Sequence, residues 1–102
     1  MSPSRSTAKA LALHLQLFVA AGAPNSLSAV QNLRAALAAH PSVKVELEII
    51  DVLIHPEIGL RENVLVTPTM IKLAPLPVRR IIGNLKDTAA LLAVLGLSER
   101  GQ

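Results

Sequence analysis

The chain has no cysteine, tryptophan or tyrosine, and Phe18 is its only aromatic residue. Without a thiol there is no disulfide, no thiolate nucleophile and no cysteine-bound zinc. Without aromatic rings there is no stacking platform for single-stranded nucleic acid. Acidic residues are also few: 7, against 10 Lys and Arg, for a net charge of +3. The basic residues are scattered along the sequence rather than gathered in a stripe. Nucleic acid is therefore not an expected partner, whereas an acidic protein surface is compatible. No apolar run approaches the roughly 18 residues of a membrane span, so no membrane association is expected.

What remains is aliphatic. Hydrophobic residues make up 51% of the 102, almost all of them Ala, Leu, Val and Ile. One domain of this length buries a modest core. Residues 1–9 read as a polar N-terminal tail, 10–97 as the domain and 98–102 as a C-terminal tail. Arg5 and Lys9, an apolar stretch and Ala21-Gly22-Ala23 imitate a signal peptide. However, His14 and Gln16 alternate strictly with Leu11, Leu13, Leu15, Leu17 and Val19, which is a strand's period. A cytoplasmic protein whose first strand spans 10–20 is expected.

A helix follows over about 27–39. Asn25 or Ser26 serves as its N-cap, Leu27, Val30, Leu33 and Leu37 form its apolar stripe, and His40-Pro41 stops it. Residues 43–52 alternate again. Ile50 and Val52 are apolar on the otherwise charged Lys44/Glu46/Glu48 face, which predicts cover on both sides at that end. A short, soft helix lies within 53–63, with Pro56 in its first turn. Two strands are predicted at 70–74 and 78–82, joined by Pro75-Leu76-Pro77. A last helix spans 88–95, capped by Asp87 and ended by Gly96. The order is βαβαββα. Its first two strands are expected to be parallel and its last two antiparallel.

The stretch from Val66 to Gly83 carries the densest signal. Pro68, Pro75 and Pro77 restrict their own φ and bias the residues before them, and X-Pro bonds are the ones that adopt cis geometry. Arg79 and Arg80 are neighbours on a strand and so point to opposite faces. They either divide between solvent and a carboxylate such as Asp51 or Asp87, or bind an acidic partner surface. Lys72 and the Glu48 face read as solvated. His14, His40 and His55 have no metal spacing and read as surface or edge residues. Asp51 and Glu57 form no acid/base pair, and nothing supplies a nucleophile with a base beside it. No catalytic residue, metal or cofactor is expected.

The element order and Thr67-Pro68 resemble the thioredoxin-like α/β fold, with a central mixed sheet. Redox members of that fold carry Cys-x-x-Cys at the start of the first helix; here it reads Ala23-Pro24-Asn25-Ser26. That departure implies a binding module and argues against a peroxidase or reductase. A more specific resemblance is to the KaiB family of circadian clock proteins. It rests on Leu17-Phe18-Val19-Ala20, Pro24-Asn25-Ser26, Ile50-Asp51-Val52-Leu53, Pro56, Thr67-Pro68-Thr69 and the run from Pro75 to Gly83.

The resemblance implies a non-enzymatic regulator that binds a KaiC-type ATPase ring. It further implies two folds: a self-associating resting form (βαββααβ, usually a tetramer, alternatively a dimer) and the thioredoxin-like form that binds. Arg79, Arg80, Lys72, Asn25 and Glu48 are its candidate partner contacts, and Pro68, Pro75 and Pro77 its candidate switch prolines. Ser28, Glu48 and Asn63 stand where clock relatives usually have basic residues, which marks a divergent paralogue. The alternative is an adaptor held permanently in the thioredoxin fold that binds a sensor kinase or stress-response protein.

Overall fold

β1 (Ala12–Val19) is the strand on which both faces of the sheet are built. The computed structural model describes residues 12–97, so the two predicted tails, together with Ala10 and Leu11, lie outside the described residues. Around β1 the chain forms α1 (Pro24–Ala38), β2 (Lys44–Asp51), α2 (Pro56–Arg61), β3 (Thr69–Ala74), β4 (Arg79–Ile82) and α3 (Thr88–Leu95). This is the expected order.

The sheet runs β2-β1-β3-β4. β1 and β2 are parallel, with Leu15 opposite Leu47. β3 is antiparallel to both β1 and β4, with Leu17 opposite Met70 and Met70 opposite Ile81. The sheet is thus mixed, as expected.

The period of two in β1 separates two cores. Leu13, Leu15, Leu17 and Val19 face α1 and α3 and pack with Leu33, Met70, Leu91, Leu92 and Leu95. On the opposite face Phe18 joins Ile50 and Ile71 in a smaller cluster, bordered by Val52, Ile58, Val64 and Leu73. α3 is set by local chemistry. The Asp87 carboxylate accepts from the Ala90 N–H, and Gly96 closes the helix at φ 77°, where a Cβ is disfavoured.

Several expectations need correction. α1 starts one turn early, with Pro24 in its first turn and Ala23 as an N-cap without a side-chain bond. Asn25 is therefore inside the helix and exposed, not a cap. The Ser26 hydroxyl instead accepts from the Ala20 N–H at 3.0 Å, tying the helix to the end of β1. The buried stripe is Ser26, Ala29, Leu33 and Ala36, while Leu27 is 55% exposed. Of the expected stripe Leu33 is buried and Val30 and Leu37 pack against the core, so only Leu27 is displaced, with the small Ser26, Ala29 and Ala36 filling the face instead.

The end of β2 is covered on one side only. Ile50 is buried, but Ile49 is exposed, because β2 is an edge strand. His40 is buried; its Nδ1 donates to the Ala36 carbonyl at 3.2 Å, which makes it part of the α1 terminus. Lys72 is not solvated: it is 5% exposed, placed between Leu15 and Arg79 on the helix-covered face.

Substitution of the central strand tests this division. Leu17→Ala is expected to cost about 3 kcal/mol in urea unfolding, since it opens a cavity in a close-packed core. Leu65→Ser, at a residue 90% exposed, is expected to stay within about 0.5 kcal/mol of the parent.

Candidate protein-docking surface

The sequence candidates do not assemble into one site. Asn25 lies at the start of α1, beside the C-terminal end of β1. Glu48 sits on the edge strand β2, where its Oε1 accepts from Gln16 Nε2 at 3.1 Å and lies 3.9 Å from His14 Nε2. Lys72 and Arg79 are cross-strand neighbours on the helix-covered face. Arg80, opposite Ile71, points to the other face.

The two arginines differ in what they touch. Arg80 Nη1 donates to the Asn63 carbonyl at 3.2 Å, and Nη2 donates to the Glu62 carbonyl. Arg79 is exposed and makes no ion pair or hydrogen bond among the described residues. Neither arginine pairs with Asp51 or Asp87, because both carboxylates are used locally. Asp51 Oδ1 accepts from the Leu53 N–H at 2.9 Å and the Ala21 N–H at 3.3 Å. Asp87 caps α3.

The feature that sequence reasoning missed is apolar. Leu53, Ile54, Leu60, Leu65 and Val66 are all exposed, in the segment between β2 and β3. Leu60, Leu65 and Val66 line a groove of about 370 Å³ together with Val52, Gly59 and Val64, and Leu53 and Ile54 follow Val52 along the chain. Thr67 forms its end, and the Thr67-Pro68 bond there is cis, as are Ala74-Pro75 and Leu76-Pro77. Gly59 is one of the groove's lining residues. A Cβ there would stand 3.3 Å from Val52 Cγ1, so the glycine allows α2 to approach the strand end this closely.

Exposed aliphatic side chains grouped in one segment make it a candidate protein-docking surface. The available signal was the pairs Leu53-Ile54 and Leu65-Val66, which fit neither a helical nor a strand period. Among the described residues no three His, Asp or Glu side chains cluster in a way that would hold a metal ion. Likewise, no helix there is long and apolar enough to cross a membrane.

The KaiB domain matches residues 16–97 of this chain. The chain belongs to the KaiB family. It is 42% identical over 83 residues to the circadian clock oscillator protein KaiB of Synechococcus elongatus, covering 81% of each protein. The same identity holds for KaiB of Parasynechococcus marenigrum, with 80% of that protein covered. In three dimensions it resembles the N-terminal domain of Synechococcus elongatus SasA, with a TM-score of 0.71, 32% identity and 97% of both chains covered.

Mitochondrial thioredoxin 3 from Saccharomyces cerevisiae matches with a TM-score of 0.67 at 22% identity, over 83% of this chain and 78% of that one; this likeness concerns the fold alone. The thioredoxin-like arrangement expected from Thr67-Pro68 is therefore present, and the KaiB family member keeps it without any cysteine.

The Asp51 carboxylate fixes the chain's entry into the groove-forming segment. Asp51→Ala removes two charge-assisted bonds and is expected to lower stability by about 1–2 kcal/mol in chemical unfolding, whereas Glu57→Ala, on an exposed side chain, is expected to be silent.

Proposed function

We propose that this KaiB-family protein is a non-enzymatic cytoplasmic regulator that docks on a KaiC-type ATPase through its exposed apolar end. The observation that carries the reading is the set Leu53, Ile54, Leu60, Leu65 and Val66, uncovered between β2 and β3, of which Leu60, Leu65 and Val66 line the groove next to Thr67-Pro68. A monomer in water gains nothing by exposing these side chains; a partner that covers them removes their area from solvent, worth about 25 cal/mol per Å². The absence of cysteine supports binding over redox chemistry. Arg79 adds a charged contact at the edge strand, since its guanidinium is free to meet a partner carboxylate. Asn25 and Glu48 supply polar contacts on other flanks, and Lys72, at 5% exposure, is left with little surface to offer a partner.

The family resemblance extends the proposal to a second, self-associating arrangement of the back half, with Pro68, Pro75 and Pro77 among the residues that differ between the two. Only a minority of molecules would then be competent to bind at any moment, and association would be slow. The contrasting reading is an adaptor that keeps the thioredoxin-like fold permanently and binds a signalling protein. It is favoured by one observation: the likeness to the SasA N-terminal domain covers nearly all of both chains.

Co-elution with a KaiC-type ATPase from the same genome, in the presence of nucleotide, tests the docking. The parent chain is expected to form the complex, Leu65→Glu to abolish it and Arg79→Glu to weaken it at least tenfold, which corresponds to about 1.4 kcal/mol. Absence of a complex after days of incubation overturns the proposal. A mass measurement in solution separates the two readings: a tetramer or dimer at rest supports the switching form, a monomer the permanent adaptor.

A further inference from the structure

α2 is six residues long and is attached to the sheet by little. Its apolar contribution to the smaller core is Ile58, with Val64 following, while Leu60 faces solvent. Its C-terminal end is nonetheless finished in detail. Asn63 adopts the left-handed conformation at φ 58°, its N–H donates to the Leu60 carbonyl at 3.1 Å, and the Val64 N–H donates to the Gly59 carbonyl at 2.8 Å. These are the two bonds of a Schellman closure, which asparagine tolerates at the left-handed position. The closure leaves the Glu62 and Asn63 carbonyls pointing away from the helix with no main-chain donor.

Arg80 fills that gap. Its two terminal nitrogens donate to the Glu62 and Asn63 carbonyls, eighteen and seventeen residues away in sequence. The Thr69 hydroxyl donates to the Val66 carbonyl at 2.7 Å and holds the far end of the segment, while among the described residues Arg80 is the side chain from outside it that bonds its helix end. The planar fork of a guanidinium suits two adjacent carbonyls, and a cation at a helix C-terminus meets its negative end. Because Arg80 lies opposite Ile71, the side chain passes over the smaller core to reach α2.

We propose that Arg80 is an intramolecular latch. It couples the edge strand β4 to the C-terminal end of α2 at Glu62 and Asn63, and so positions the Val64, Leu65 and Val66 that follow, which line the apolar groove. Arg79, the adjacent residue, has no part in this and faces outward. The latch is defined by contacts within the subunit and does not depend on docking to an ATPase.

Two measurements on the full chain test it. In the parent protein, NMR is expected to show restricted rotation of the Arg80 guanidinium, with separate Nη signals on cooling, while that of Arg79 averages. Amide hydrogen exchange then reads the consequence. Arg80→Gln is expected to speed exchange at Glu62, Asn63 and Val64 about tenfold, with Leu15 and Leu17 unchanged. Arg80→Lys is expected to restore part of the protection, and Arg79→Gln to leave all of these amides as they were. A freely averaging Arg80 guanidinium overturns the latch. So does a uniform rise in exchange across the sheet for Arg80→Gln, or an equal effect from Arg79→Gln. Should Arg80→Gln fail to fold, the parent's guanidinium signals and Arg80→Lys decide the matter.

Discussion

β1 has to satisfy two cores with eight residues. Its odd positions enter the large core under α1 and α3, and Phe18 enters the small one under α2. Strand geometry leaves no other choice, since successive side chains leave on opposite faces and a slip of one residue would exchange every one of them. The pairing on both sides follows: β2 locks one register, β3 the other, and the shift between His14 and Leu15 is absorbed on the β3 side. With β1 held by two neighbours, the outer strands β2 and β4 are left with one each. Exposed and charged residues collect there, Glu46 and Glu48 on one edge and Arg79 and Arg80 on the other.

The two faces are unequally covered, and the proposed docking surface rests on that inequality. Two helices pack on the larger core, whereas α2 alone serves the other face. The segment between β2 and β3 therefore has more aliphatic surface than the molecule can bury. Leu53, Ile54, Leu60, Leu65 and Val66 stay in solvent, the last three lining a groove that Gly59 also lines. For a KaiB-family chain without a thiol, this uncovered end is the natural place for a partner. The neighbouring arginines then divide two tasks, one turned to the outside and one spent on the end of α2.

Much of the architecture was legible before any coordinates. Alternation at 13–19 and 43–50, the Asp87 cap, Gly96 and the Pro75-Leu76-Pro77 connection placed elements within a few residues of where they lie. These features are local, and local chemistry is visible in a one-dimensional string. The misses share a cause. The burial of Lys72 and His40 depends on which helix lies above them. At the start of α1 Ser26 is turned inward, where its hydroxyl bonds the Ala20 N–H at the end of β1, and the adjacent Leu27 is left outside. The adjacency of Arg79 and Arg80 did place them on opposite faces, but nothing in the spacing of Asn25, Glu48 and Lys72 could say where they lie relative to that pair.

Residue order alone decided that the molecule is an aliphatic, thiol-free α/β domain of the KaiB kind, because composition, periodicity and proline-punctuated motifs do not need a third dimension. Folding decided which of two adjacent guanidinium groups is available and which is occupied, and which leucines remain wet. Both outcomes depend on contacts between residues far apart along the chain, and such distances exist only once the sheet has brought β4 alongside β3 and α2 across the smaller core.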